Sequence, residues 1–355
     1  MIKLVLIAAL SYLSIKIIIK YAKKLKLLDI PNERSHHDDI TPRGAGIGFV
    51  SAFLVGVALF EFSLFTEYWF LFLSILLVLS IGILDDRHDA SPKMKFLVIF
   101  FAVFIMWIFD TSIDTLGIWF EYDLKLYWFA LPFTMFALAG FTNALNLIDG
   151  LDGLAAGVSI VILMFFGFIG FENGNHLMVV LSTFTIAALA GFILLNWNPA
   201  KVFMGDSGSL SLGFIISVIA LLSLQYVHPV VILYLAAVPV LDTLVVMVRR
   251  IRRGRSPFSP DKTHLHHIMV KFFEGNVKKT VIFLVMIQAI FSAIGYLIAD
   301  AIYSEVNTMM PLFALVGFGI IFVVFYMIFT GIKKSQNIID MINERKADRS
   351  KYLKQ

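Results

Sequence analysis

The chain has 355 residues, of which 59% are hydrophobic and only 15% charged, and its mean hydropathy is +0.87. That composition excludes an ordinary soluble enzyme, whose core needs neither so many nor such long apolar runs. The absence of Cys excludes disulfide frameworks, thiol catalysis and Cys-ligated metals, while a net charge of +4 suggests a nucleic-acid partner only until the charges are placed along the chain.

Apolar runs of about 17–25 residues can each cross a bilayer as a helix. Eleven are expected, near residues 2–20, 44–62, 68–84, 95–112, 127–147, 154–171, 177–195, 208–225, 229–248, 279–298 and 309–331. No soluble domain separates them. The expected fold is therefore all-α and polytopic, with one multi-spanning membrane domain over 1–331 and a charged tail over 332–355. The first run lacks a small-x-small cleavage site and continues through Lys16 into IIIKYAKKLK, so it reads as a retained spanning helix.

With the amino terminus outside, 26 of the 29 Lys and Arg residues fall on the inner side, all but Lys3, Lys16 and Lys125. Positive inner loops are what membrane topology demands, so the basic balance calls for no nucleic acid.

The polar clusters gather at the inner ends of the expected spans. In PNERSHHDDITPRGAGIGF, Arg34, His36 and Arg43 are candidates for holding phosphate. Gly44, Gly46 and Gly48 allow close backbone approach, and the same features also read as topology markers and helix-packing glycines. LDDRHD sets Asp85, Asp86 and Asp89 at i, i+1 and i+4, so two of them share a helical face. Clustered carboxylates need a cation, and Mg²⁺ suits one or two of them plus phosphate oxygens, with Mn²⁺ as a substitute. GFTNALNLIDGLDGLAAG places Asn143, Asn146, Asp149 and Asp152 three residues apart in an otherwise apolar stretch, with glycines where the helix should loosen. NWNPAKVFMGDSGSLSLGF adds Asn196, Lys201 and Asp206, the last in a Gly-Asp-Ser-Gly turn that reads either as a helix cap or as a metal ligand. The loop SPFSPDKTHLHH brings Lys262, His264, His266 and His267, which suit a diphosphate better than zinc in the absence of Cys or an HExxH pattern. Asp242, inside a span, reads as a structural partner of the inner arginines.

Together PNERSHH…PRGAG, LDDRHD, NALNLIDGLDGLAAG, NPAKVFMGDSGSLSLG and SPFSPDKTHLHH resemble, in order and over roughly residues 30 to 270, the polyprenyl-phosphate N-acetylhexosamine-1-phosphate transferase family of glycosyltransferase 4 type. HLHH and Asp89 are similar to the UDP-GlcNAc branch, whereas phospho-MurNAc-pentapeptide transferases carry three consecutive histidines. The resemblance implies Mg²⁺-dependent transfer of a sugar-1-phosphate from a UDP-N-acetylhexosamine to undecaprenyl phosphate, releasing UMP at the inner face of a bacterial cytoplasmic membrane. A homodimer is compatible with it. It implies that Asp206 binds metal with help from Asp85 or Asp86, and that these two acids lie beside the lipid phosphate. Asn196, Asp149 and Asp152 would then lie near the nucleotide and diphosphate, and His264, His266 and His267 at the sugar or diphosphate. Direct attack by the lipid phosphate is expected, with Asp85 taking a residual proton. The alternatives are another UDP-sugar donor (UDP-FucNAc, UDP-QuiNAc or a diacetamido sugar), a phospho-MurNAc-pentapeptide donor, or a transporter. A transporter would carry its ionisable residues near mid-membrane, where only Lys16 and Asp242 are expected.

Overall fold

The computed structural model describes residues 1–29, 40–256, 264–304 and 309–352, and the side chains of these except 303, 304 and 337–352. Helix α1 (Ile2–Leu25) leads to a minimal antiparallel pair, β1 (Leu28–Asp29) and β2 (Thr41–Pro42). Then come α2 (Ala45–Phe60), α3 (Phe62–Glu67), α4 (Trp69–His88) and α5 (Pro92–Ile108). A hairpin of β3 (Thr115–Trp119) and β4 (Tyr122–Lys125) precedes α6 (Ala130–Ile148), α7 (Leu154–Glu172), α8 (His176–Asn196) and α9 (Gly205–Ser223). The chain ends with α10 (Pro229–Leu235), α11 (Ala237–Arg252), α12 (Leu265–Phe272), α13 (Val277–Ser304) and α14 (Met310–Tyr352).

Helix α9 is the axis of the bundle, packed against α2, α4, α6, α7 and α8. Its sequence explains why. Without a hydrophobic driving force in lipid, helices associate through close packing of small residues, and α9 opens with GDSGSLSLG. A Cβ on Gly46 of α2 would lie 2.0 Å from Gly208 N, and one on Gly82 of α4 would lie 2.5 Å from Ser207 Cα. Neither position has room for a side chain. The hydroxyls of Ser209, Ser211 and Ser217 donate to carbonyls one turn back, so the helix buries them without orphaned polar groups. Gly48 faces Ile15 of α1 in the same manner. The packing role, and not ligand approach, accounts for Gly46 and Gly48.

Each of the eleven expected segments is helical, but the count of eleven spans is not reached. Among the described residues, eight helices are long and apolar enough to cross a membrane, nine if α10 and α11 form one bent span. Two of the expected spans are short: α2 has 16 residues, and α5 has 17 with Lys93 and Lys95 in its first turn. A third is broken, since α10 and α11 meet at 90°. Pro239 has no N–H to give the Leu235 carbonyl one turn back and crowds it, which breaks the helix. Gln288 on α13 repairs the break, accepting from Val238 N (2.9 Å) and donating to Leu235 O (2.8 Å), and Ser292 Oγ donates to the same carbonyl (3.0 Å). Inside a bilayer such freed groups must find protein partners.

The two ends of the bundle differ in chemistry. At one end Lys3 and His176 meet Glu61 at 2.8 and 3.2 Å, joining α1, α8 and the end of α2. The opposite end collects the C-termini of α4, α6 and α8 and the starts of α5, α7 and α9, where the carboxylates and amides lie. Helix α14 runs unbroken through residue 332, the expected start of the tail.

Candidate active site

The site is built from the loop ends that α9 organises. Asp86, 2% exposed at the end of α4, accepts hydrogen bonds from the backbone N–H of Asp206 (2.8 Å) and Ser207 (3.1 Å). A carboxylate on the first free amides of a helix satisfies them and complements the positive end of its dipole. Gly205 is the residue that lets it approach. Its φ is +71°, and a Cβ there would lie 2.7 Å from both Asp86 oxygens. The expectation that Asp86 holds a metal meets this arrangement: both of its oxygens are taken by α9.

Asp206 is thereby held with its carboxylate turned to a shared point. Lys95, in the first turn of α5, places Nζ 2.5 Å from Asp206 Oδ2 and 2.9 Å from Asp85 Oδ2. Asn146 of α6 donates to Asp206 Oδ1 (3.1 Å) and to Ser209 Oγ (2.8 Å). Acids from α4 and α9, an amide from α6 and an ammonium from α5 therefore share one half-buried cluster. Among the described residues no group of three or more His, Asp or Glu side chains is set to hold a metal ion. Asp85 and Asp206 are, however, two hard oxygen donors converging on one cation position, the donor set that Mg²⁺ accepts when phosphate oxygens complete its shell.

The loosening expected at the glycines is present: α6 ends at Ile148, α7 begins at Leu154, and Gly153 has φ +78°. Asp152 accepts from Asn198 Nδ2 (2.9 Å) and Ala200 N (3.0 Å), bracing the loop before Asp206. Asn196, 4% exposed, accepts from Gly153 N (2.8 Å) and donates to Val202 O (2.8 Å). Both residues were expected near the nucleotide, yet these contacts knit the two loops together. Asp149 differs from them. Its carboxylate makes no hydrogen bond or ion pair with the described residues, and burial together with the charges of Asp206, Asp86 and Asp152 pushes it well above the usual carboxylate range. Asn143, half-buried one turn before Asn146, likewise makes no side-chain hydrogen bond with the described residues.

The histidine segment reaches the same end. A Cβ on Gly150 would lie 2.2 Å from His266 Nε2, so this ring sits on the Asp149–Gly153 turn. His264 stacks on His266 at 6.0 Å, and His267 lies 4.2 Å from His266 between ring centroids. His264 and His266 are buried. Asp242 is found with His264, Oδ2 lying 2.8 Å from Nδ1, in place of the arginine partnership expected for it. Backbone bonds from Phe203 N to Pro42 O and from Ala45 N to Phe203 O strap the end of the first polar loop to the Asp206 loop. Arg43 stands there, 3.9 Å from both Asp29 and Asp89. Asp89 itself turns outward, 91% exposed. Lys201 is exposed, and Arg34, His36 and Lys262 lie outside the described residues.

Residues 68–224, from the start of α4 to the end of α9, match the model of glycosyl transferase family 4. The chain is 34% identical over 313 residues to a Bacillus subtilis (strain 168) protein named probable undecaprenyl-phosphate N-acetylglucosaminyl 1-phosphate transferase, covering 85% of this chain and 86% of the relative. The chain belongs to glycosyl transferase family 4. It is similar also to the undecaprenyl-phosphate alpha-N-acetylglucosaminyl 1-phosphate transferases of Escherichia coli (strain K12), 31% identical over 84% of both chains, and Salmonella typhimurium (strain LT2), 34% identical over 71% of both. The family match contains the acids of α4, the turn after α6 and Asp206, while Arg43 and the histidines fall outside it.

Lys95 is the site residue of this family 4 chain that sequence reasoning passed over, counting it as one more topology marker. A signal was available. Ser91 accepts from Met94 N as an N-cap and Pro92 occupies the first turn, so the short DASP connection folds α5 back along α4 and brings its second lysine, Lys95, beside Asp85.

Proposed function

We propose that this protein transfers N-acetylglucosamine-1-phosphate from UDP-N-acetylglucosamine to undecaprenyl phosphate, releasing UMP, at the cytoplasmic face of a bacterial plasma membrane. One observation carries the reading: Asp85 and Asp206, from two different helices, converge on the Lys95 ammonium at a helix-end face, with Asn146 of a third helix donating to Asp206. The names of the relatives supply the acceptor and the sugar. The charge bias along the chain supports the orientation, and a long prenyl tail in the bilayer with its phosphate at the surface suits a site made from helix ends.

Phosphoryl transfer depends on positioning and on offsetting charge. Asp85 and Asp206 would hold Mg²⁺, which when bound polarises the diphosphate. Asp86 fixes α9, and through it the direction of the Asp206 carboxylate. Lys95 offsets part of the charge of the two acids in the free protein and is placed to take a phosphate oxygen when substrate arrives. Arg43 and Lys201, together with Arg34, His36 and Lys262, would hold further phosphate oxygens, while Asn143, His266 and His267 would meet the sugar and diphosphate. The lipid phosphate, with a second pKa near ~6, is largely ionised at neutral pH and attacks directly. Where a proton must be held, Asp85, 2.9 Å from Lys95 Nζ, and Asp149, poorly solvated and surrounded by acids, are the two candidates. Assembly as a homodimer belongs to the same proposal.

A UMP-release assay on purified full-length protein with undecaprenyl phosphate, Mg²⁺ and a panel of UDP-sugars tests the reading. Release with UDP-N-acetylglucosamine is expected, together with loss in EDTA. Turnover with a different donor alone would replace the sugar, and none with any donor would remove the function.

A further inference from the structure

Asp242 lies on α11, in the second half of the broken span, and is 2% exposed. One oxygen accepts from Leu265 N (2.6 Å), at the start of α12, and the other lies 2.8 Å from His264 Nδ1. His264 is itself 4% exposed, and its Nε2 makes no hydrogen bond with the described residues. The His264 ring lies nearly parallel to His266, at 13°, and His266 rests on the Gly150 turn beside Asp149. We propose that Asp242 is a positioning residue for the transfer reaction: it holds His264 as the Nδ1–H tautomer and fixes its ring, so that Nε2 is the nitrogen presented to a phosphate oxygen of the donor. The inference rests on the proposed transfer, in which His264 meets the diphosphate.

The chemistry follows from the donor and acceptor inventory. A carboxylate accepts only, so the nitrogen facing it must carry hydrogen, which leaves Nε2 as the nitrogen turned to the diphosphate; a ring carrying both hydrogens donates through it to an anionic oxygen. The rival explanation is that Asp242 merely caps α12 through Leu265 N. Asp242→Asn separates the two roles. An asparagine can keep its oxygen on Leu265 N while its amide hydrogens face Nδ1. That forces the Nε2–H tautomer without removing the cap.

The test is made on the purified full chain with histidines ¹⁵N-labelled, the His264 signals being assigned by their loss in His264→Gln. Wild-type protein should show Nδ1 protonated, and Asp242→Asn should shift His264 to Nε2–H. With UDP-N-acetylglucosamine and undecaprenyl phosphate, Asp242→Asn should lose kcat by about 10-fold or more while keeping its thermal midpoint and its KM for the lipid. Adding Asp242→Asn to His264→Gln should cost nothing further. A neutral Nε2–H tautomer in the wild type would overturn the proposal, and that measurement stands even if the variant does not fold. So would activity within twofold of the parent despite a switched tautomer. Near-normal turnover by His264→Gln would instead remove His264 from the reaction, and the wild-type tautomer would still report whether Asp242 holds the ring.

Discussion

Lys95 Nζ and Asp206 Oδ2 lie 2.5 Å apart, with Asp85 2.9 Å from the same nitrogen. Two carboxylates from α4 and α9 thus share one ammonium from within the chain, supplied by the first turn of α5. A lysine so placed joins two acids that would otherwise repel, and it leaves them aimed at one position.

Lys95→Gln is expected to lose activity and to become less stable in EDTA, by roughly 1–3 kcal/mol, the worth of hydrogen bonds to charged groups. Because a divalent ion can take over the neutralising role, added Mg²⁺ should restore much of the thermal midpoint without restoring UMP release. Thermal-shift scans with EDTA and with Mg²⁺ decide it, and an unchanged midpoint in EDTA would show that the pair adds no stability.

Asp86 and Asp206 should fail in different ways. Asp86→Ala leaves the first amides of α9 without acceptors and is expected to cost about 2–3 kcal/mol of stability. Mg²⁺ should not rescue it. Asp206→Asn should unfold near the parent temperature and release no UMP. Comparable midpoints for the two variants would mean that Asp86 is not the clamp its hydrogen bonds describe.

Asp149 sets a pH dependence. Its folded-state carboxyl is raised above the ordinary value of 3.8, so the native state keeps a proton that the unfolded chain has lost. Its contribution to stability is therefore complete below 3.8 and is lost as pH rises toward the folded-state value. Asp149→Asn, which cannot ionise, should flatten the fall in thermal midpoint as pH rises from about 4 toward neutrality. Equal slopes for variant and parent in metal-free buffer would count against the raised carboxyl.

Gln288→Leu tests the repair of the broken span. It removes the acceptor for Val238 N and one donor to Leu235 O, leaving Ser292 on that carbonyl. The cost should be about 1–3 kcal/mol, read as a lower thermal midpoint, because an unpaired amide at membrane depth has no water to turn to. A midpoint equal to that of the parent would mean that the kink needs no support from α13.

Hydrophobic run length alone placed helices at all eleven expected segments, because a bilayer imposes one length scale and one way to satisfy the backbone. The spacing of polar residues likewise marked Asp85, Asp149, Asp206 and His264 as belonging to one face. What each of them touches was decided by packing. Gly46 against Gly208 and Gly82 against Ser207 set how closely α2, α4 and α9 approach, and that approach seats Asp86 on the α9 amides and Asp206 beside Lys95. Pro239 is visible in the sequence, but the 90° turn it permits depends on Gln288, some fifty positions away. Periodicity and charge act along the chain and can be read there. A carboxylate's partner is set by contacts between residues such as Asp86 and Asp206, 120 positions apart, and those distances exist only once the helices have packed.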